Sequence, residues 1–130
     1  MGLNPETIPS EVTAENIFPA ATFTTNANSG SLDIKDYLGK VKVTMSFGAA
    51  ANDNQAADVV IQHSDEASAN FTAAGVEFDD IAANAAAGVQ SVAVDTRKTK
   101  RYIRAALTRS AAGNGRGVAI VASGKKQITA

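Results

Sequence analysis

The sequence predicts an all-β protein: an antiparallel β-sandwich of jelly-roll type, with about eight short strands and an extended N-terminal arm. Three observations predict it. Apolar and polar residues alternate in short runs, most clearly in residues 40–47 (KVKVTMSF), and a period of two marks a strand with one buried and one wet face. Turn residues recur between those runs at intervals of about 8–15 residues, the spacing of a sandwich. No stretch keeps a helical period, so the crossover helices that a parallel sheet needs are missing.

Residues 1–19 read as the arm and residues 20–130 as the sandwich domain. Pro5, Pro9 and Pro19 fall within the arm or at its end. Acidic, Pro-rich segments without periodicity stay extended until something binds them. A helical turn over residues 9–12, capped by Ser10, is a weaker alternative. Residues 20–25 (AATFTT) read as the first strand, residues 26–30 (NANSG) as turn chemistry, and residues 31–34 as a short strand closed by a turn ending in Gly39. In residues 40–47, Val41, Val43, Met45 and Phe47 point one way and Lys40, Lys42, Thr44 and Ser46 the other. A loop over residues 48–57 leads to a strand at 58–63, with Val59, Ile61 and His63 on one side and Val60 and Gln62 on the other. After a turn at residues 64–66, residues 70–72 pair briefly and residues 76–81 form a strand with an irregular end. Residues 82–88 (AANAAAG) have the helix propensity of alanine but are too short to nucleate, so they read as a loop.

Residues 92–107 (VAVDTRKTKRYIRAAL) form a strand, a turn over 95–100 and a second strand, together a hairpin-like edge. On the second strand Ile103, Ala105 and Leu107 share the core face, while Tyr102, Arg104 and Ala106 face out. Residues 111–117 (AAGNGRG) read as a hairpin loop, residues 118–123 as the last strand and residues 124–130 as a polar tail.

At 130 residues the chain is one domain, large enough to hold a core without metal or disulfide support. It contains no cysteine, which excludes disulfides, thiolate chemistry and cysteine zinc sites and fits a reducing cytoplasm. No apolar run approaches the roughly 18 residues of a membrane helix, and the N-terminus lacks the basic region of a signal peptide. Alanine supplies much of the 45% hydrophobic content and aromatics only 5%, so the core should be thin and closely packed. The net charge of −1 conceals an asymmetry. Residues 1–90 carry twelve acids and three bases, whereas residues 91–130 carry one acid and nine bases. Strands from the two halves lying side by side would compensate these charges; acidic and basic surfaces meeting between subunits would do the same.

No catalytic constellation emerges, and the expectation is a protein without enzymatic activity, cofactor or metal. His63 is the single histidine, and its neighbours Ser64 and Asp65 would point apart along a strand end instead of forming a triad, so it reads as structural. Asp65–Glu66 and Asp79–Asp80 lack the spacing of a calcium loop and read as solvated turn acids. The alternating glycines of residues 113–117 precede a strand, not a helix, and so are no phosphate loop. The strongest feature is the basic cluster Arg97, Lys98, Lys100, Arg101 and Arg104 with Tyr102 among it. Nucleic-acid binding on a sheet asks for several stacking aromatics, and Tyr102 is the one aromatic within the cluster. Tyr102 and Arg104 on one outward face have the composition of protein-interface anchors. Asp95 could instead pair with Arg97 or Arg101 and hold the turn.

Residues 31–43 (SLDIKDYLGKVKV), residues 58–66 (DVVIQHSDE) with Phe71 after them, residues 90–105 (QSVAVDTRKTKRYIRA) and residues 117–127 (GVAIVASGKKQ) carry a resemblance. Over about residues 31–127 the chain resembles the all-β head decoration, or cement, proteins of tailed bacteriophages. A tryptophan that such proteins often place after the Ser-Asp turn is replaced here by Phe71, and the arm matches no motif. The resemblance implies a virion protein, made in the host bacterial cytoplasm, that binds the capsid surface. There it would stabilise contacts between major capsid subunits, often as a trimer at threefold positions. The expected partners are therefore the major capsid protein and further copies of the chain, with no membrane; a nucleic-acid-binding module built on the basic C-terminal part ranks third. Residues 1–19 and the segment Arg97–Arg104 are the expected contacts. Another virion β-sandwich, a tail or head-fibre part that binds glycans, is the alternative.

Overall fold

The computed structural model describes residues 10–23, 25–49, 56–83, 85–109 and 116–127. Among them, nine strands build two antiparallel sheets: β1 (Ser10–Phe23), β2 (Ala27–Asn28), β3 (Leu32–Asp33), β4 (Lys40–Phe47), β5 (Ala57–Ser64), β6 (Thr72–Glu77), β7 (Gly88–Asp95), β8 (Tyr102–Arg109) and β9 (Arg116–Gln127). The first sheet has the order β1-β9-β4-β7, and the second runs β2-β8-β5-β6, with β3 also paired to β8. The two apolar faces meet as a sandwich. From the first sheet come Val41, Val43, Met45, Val94, Ile120 and Ala122; Val59, Ile61, Ile103, Ala105 and Leu107 come from the second. Ile34, Tyr37, Phe78 and Ile81 close the core from the connecting segments. The all-β expectation holds, and β4 has the predicted bounds and alternation, with Val41, Val43 and Met45 fully buried.

Several element boundaries differ. The first strand starts at Ser10 rather than Ala20, so residues 10–19, expected in the arm, pair with β9; residues 1–9 lie outside the described residues. Register shifts around Phe18 let the neighbours Ile17 and Phe18 both face the core, which erases the period of two. Pro19 is tolerated because β1 is an edge strand. The same strand rules out the helical turn over residues 10–12. Ala27 and Asn28, inside the expected turn, form β2 against β8. β6 begins at Thr72, before the expected residue 76, because a bulge at Gly75 (φ 81°) hides its alternation. At the C-terminus, Arg116 and Gly117 belong to β9, and so do residues 124–127, expected as tail. The rest of the expected hairpin loop, residues 111–115, and the end of the tail lie outside the described residues.

Residues 92–107 are not a hairpin. β7 pairs with β4 in the first sheet and β8 with β5 in the second, so the turn at residues 95–100 crosses from one sheet to the other. β8 is also no edge, since β2 and β3 flank it on one side and β5 on the other. The physical reason lies in the inward residues. Val94 and Ile103 are both fully buried, Val94 in the wall formed by the first sheet and Ile103 in the wall formed by the second.

Candidate interaction surface

Strand β8 aims its odd-numbered residues Ile103, Ala105 and Leu107 into the core and its even-numbered residues outward, as its alternation requires. The outward residues form a surface together with their neighbours in register. Tyr102 lies opposite Asp33 on β3 and Ser64 on β5, and Arg104 lies opposite Gln62. Arg104 donates from Nε to Gln62 Oε1 at 2.8 Å, and its guanidinium lies 4.2 Å from the centre of the Phe71 ring. This stacking holds the side chain flat on the sheet and leaves its terminal amino groups free to bond a partner.

Phe71 is placed by the loop before it. The Glu66 amide donates to Ser64 Oγ, Asn70 donates to Glu66 Oε2 at 2.9 Å, and Asn70 adopts a left-handed φ of 60° that turns the chain into β6. Arg101 makes a forked pair with Asp33, from Nε at 3.2 Å to both oxygens and from Nη2 at 2.8 Å to Oδ2. It also lies 5.0 Å from the Tyr102 ring centre. The Arg101 guanidinium holds the Asp33 carboxyl below its usual range.

The six residues singled out in the sequence therefore divide. Arg101, Tyr102 and Arg104 come together on the outward face of the second sheet. Arg97, Lys98 and Lys100 stay exposed on the turn at one end. There the Asp95 carboxylate accepts the Arg97 amide at 3.0 Å and lies 3.6 Å from the Arg97 Nε, and these contacts, the amide first, lower its pKa. Asp95 thus pairs with Arg97, as anticipated, and Arg101 with Asp33 instead. His63 Nδ1 accepts the Lys100 amide at 3.2 Å and so joins β5 to the turn. Asp33, Gln62 and Phe71 were missed. Each lies 30 or more residues from the arginine it meets, and no local pattern links them.

At the opposite end of the same face the charge reverses. Asp58 lies opposite Thr108, and Glu77 lies opposite Val60, with Asp80 beside Asp58. Asp58 Oδ1 is buried and takes no hydrogen bond. Burial first, then the neighbouring Asp80 and Glu77 carboxyls, push the Asp58 pKa up. The two arginines of this end are structural. Arg109 turns inward and donates to the Phe23 carbonyl at 3.0 Å. Arg116, 2% exposed, donates to the carbonyls of Gly48, Ala82, Ala83 and Ala85 at 2.9–3.3 Å.

No protein-family model matches the chain, and no curated protein sequence does. Among solved structures the chain is similar to VP2 of the infectious bursal disease virus subviral particle. The TM-score is 0.52 at 10% identity, over 99% of this chain and 42% of that one. It is also similar to a chain of the infectious bursal disease virus particle, with a TM-score of 0.50 and 10% identity over 99% of this chain and 39% of that one. A family two carbohydrate esterase from Cellvibrio japonicus aligns at a TM-score of 0.38, too low to carry any comparison. The chain spans about two fifths of the viral chains it matches. At this identity the likeness is one of fold, and the fold is the β-sandwich of viral capsid jelly rolls.

Proposed function

We propose that this protein is a structural component of a virion: a bacteriophage decoration, or cement, protein that binds the outside of the head and holds neighbouring major capsid subunits together. The observation that supports the reading is the capsid-type sandwich, matched over 99% of the chain to a protein of a viral particle. The Arg101–Tyr102–Arg104 surface adds to it, because arginine and tyrosine anchors on a rigid sheet suit protein docking. In this reading the protein carries out no reaction and needs no cofactor. Arg97, Lys98 and Lys100 contribute long-range attraction to an acidic shell surface, and Tyr102 and Arg104 make the close contacts. Each contact is weak, and repetition over the shell turns weak contacts into firm attachment.

The test is addition of the purified protein to heads that lack it. Saturable binding at a fixed ratio to the major capsid protein, with higher resistance of the heads to heat, is expected. Heads that bind none of it, or that gain no resistance when saturated, would overturn the proposal.

A further inference from the structure

The outward face of the second sheet is divided by charge along its strands. In register, its rows run Tyr102–Ser64, then Arg104–Gln62–Ala73, then Ala106–Val60–Glu77, then Thr108–Asp58. Each row is about 6.7 Å from the next, two residues along a strand. Arg104 supplies the cation of one half, where Arg101 is already paired with Asp33. Asp58, Glu77 and Asp80 occupy the other, and among the described residues no cation pairs with these three. Between the halves the face is uncharged, with Ala106 and Val60 side by side. Beside Val60 lies a hollow of about 210 Å³, lined also by Ala73, Gly75, Val76 and Glu77.

We infer that this face pairs with the same face of a second copy, across a twofold axis that runs parallel to the sheet in the contact plane above it and crosses the strands between the Arg104 and Ala106 rows. A half-turn about that axis exchanges the two rows. It carries the Arg104 guanidinium of one copy over the hollow and Glu77 of the other, and the Tyr102 row over Asp58. The contact occurs twice, which is the signature of an isologous interface.

The geometry selects a twofold. Both charged halves lie on one sheet face, so their normals are nearly parallel, and only a half-turn makes them face one another. A threefold ring, implied by the resemblance to cement proteins, would need donor and acceptor patches on faces roughly 60° apart. Three strands wide and four rows long, the face covers about 15 by 27 Å, or about 400 Å² per copy, the size of a transient interface. The pair is therefore weak and concentration-dependent in solution.

The inference stands apart from the virion reading, because it concerns the free protein. It is tested by sedimentation equilibrium of the full chain at low salt over a range of concentrations. A monomer–dimer equilibrium is expected, weakened at least tenfold by Arg104→Glu and equally by Glu77→Lys. The double variant Arg104→Glu with Glu77→Lys restores it, because the swapped charges again face their opposites. Both positions are on the surface, and circular dichroism of each variant verifies the fold. A protein that is monomeric at every concentration, or trimeric, overturns the inference. So does a dimer indifferent to the two reversals. If the dimer is lost in the variants but head binding persists, the pairing stands and this face is not the capsid contact.

Discussion

Among single residues, Arg116 and Asp58 show how burial decides what a charge does. Among the described residues Arg116 has no carboxylate partner; four backbone carbonyls bind its guanidinium and tie the segment 82–85 and Gly48 to the start of β9. Arg116→Met keeps the length of the side chain but leaves those carbonyls without their donor. A loss of about 2–4 kcal/mol in urea unfolding is expected. Asp58 behaves in the opposite sense. Its pKa is raised in the folded state, so the folded protein holds that proton more tightly than the unfolded chain does. Its contribution therefore turns unfavourable as pH rises through the carboxylate range and is neutral below it. Asp58→Asn should raise the melting temperature at pH 7 and leave it unchanged near pH 3. A thermal scan at the two pH values checks this, and equal shifts at both would show that charge is not the cause. Asp33 has the reverse sign: its pKa is lowered, and its pairing with Arg101 is lost as pH falls. The Arg97–Arg104 cluster was legible in the sequence as a charged feature. Its sorting into a paired Arg101, a stacked Arg104 and exposed turn residues was not, because Asp33 and Phe71 reach it through the fold.

At the scale of elements, strands with one wet face announced themselves and strands at edges or bulges did not. β4 and β5 alternate cleanly because each has neighbours on both sides and one face in the core. β1 is an edge strand with two register shifts, and its buried Ile17 and Phe18 are adjacent in sequence. Phe18 meets Phe23 edge-on at 4.9 Å and anchors the strand. Phe18→Ala should cost about 3–5 kcal/mol, and hydrogen exchange should show β1 losing protection before the other strands. Uniform loss across the sandwich would mean that β1 does not detach on its own. β9 carries a second packing constraint. A Cβ at Gly124 would stand 3.0 Å from the Tyr37 ring and 3.2 Å from the Lys40 carbonyl, and the carbonyl belongs to the backbone and yields little. Gly124→Ala is expected to destabilise by about 1–3 kcal/mol, measured by urea unfolding.

For the whole molecule, charge is distributed along the strands. The turn at residues 95–100 and the Lys125–Lys126 end of β9 lie toward one end, and Asp58, Glu77, Asp79 and Asp80 toward the other. Among the described residues the acidic and basic parts of the sequence meet in the ion pair Asp33–Arg101. Surface attraction of this kind is screened by salt. Attachment to heads should therefore weaken as salt is raised from 50 to 500 mM, the loss appearing chiefly in the association rate. Surface plasmon resonance on immobilised heads measures it, and a rate indifferent to salt would assign attachment to apolar contact.

The sequence by itself determined the class of this protein. Its period-two alternation, frequent turns and small apolar side chains permit thin sheets packed face to face. That information is local, because a strand's inward and outward residues follow from the geometry of its own backbone. Only the tertiary structure decided which strands are neighbours. Pairing in a sandwich joins residues far apart in the chain, as Arg101 with Asp33 and Arg104 with Gln62 and Phe71, and many pairings satisfy one alternation equally well. The strand, turn and strand at residues 92–107 read as a hairpin for that reason. Pairing of β7 with β4 and of β8 with β5 sends it across the sandwich instead and puts Tyr102 and Arg104 on the face that also carries Asp58 and Glu77.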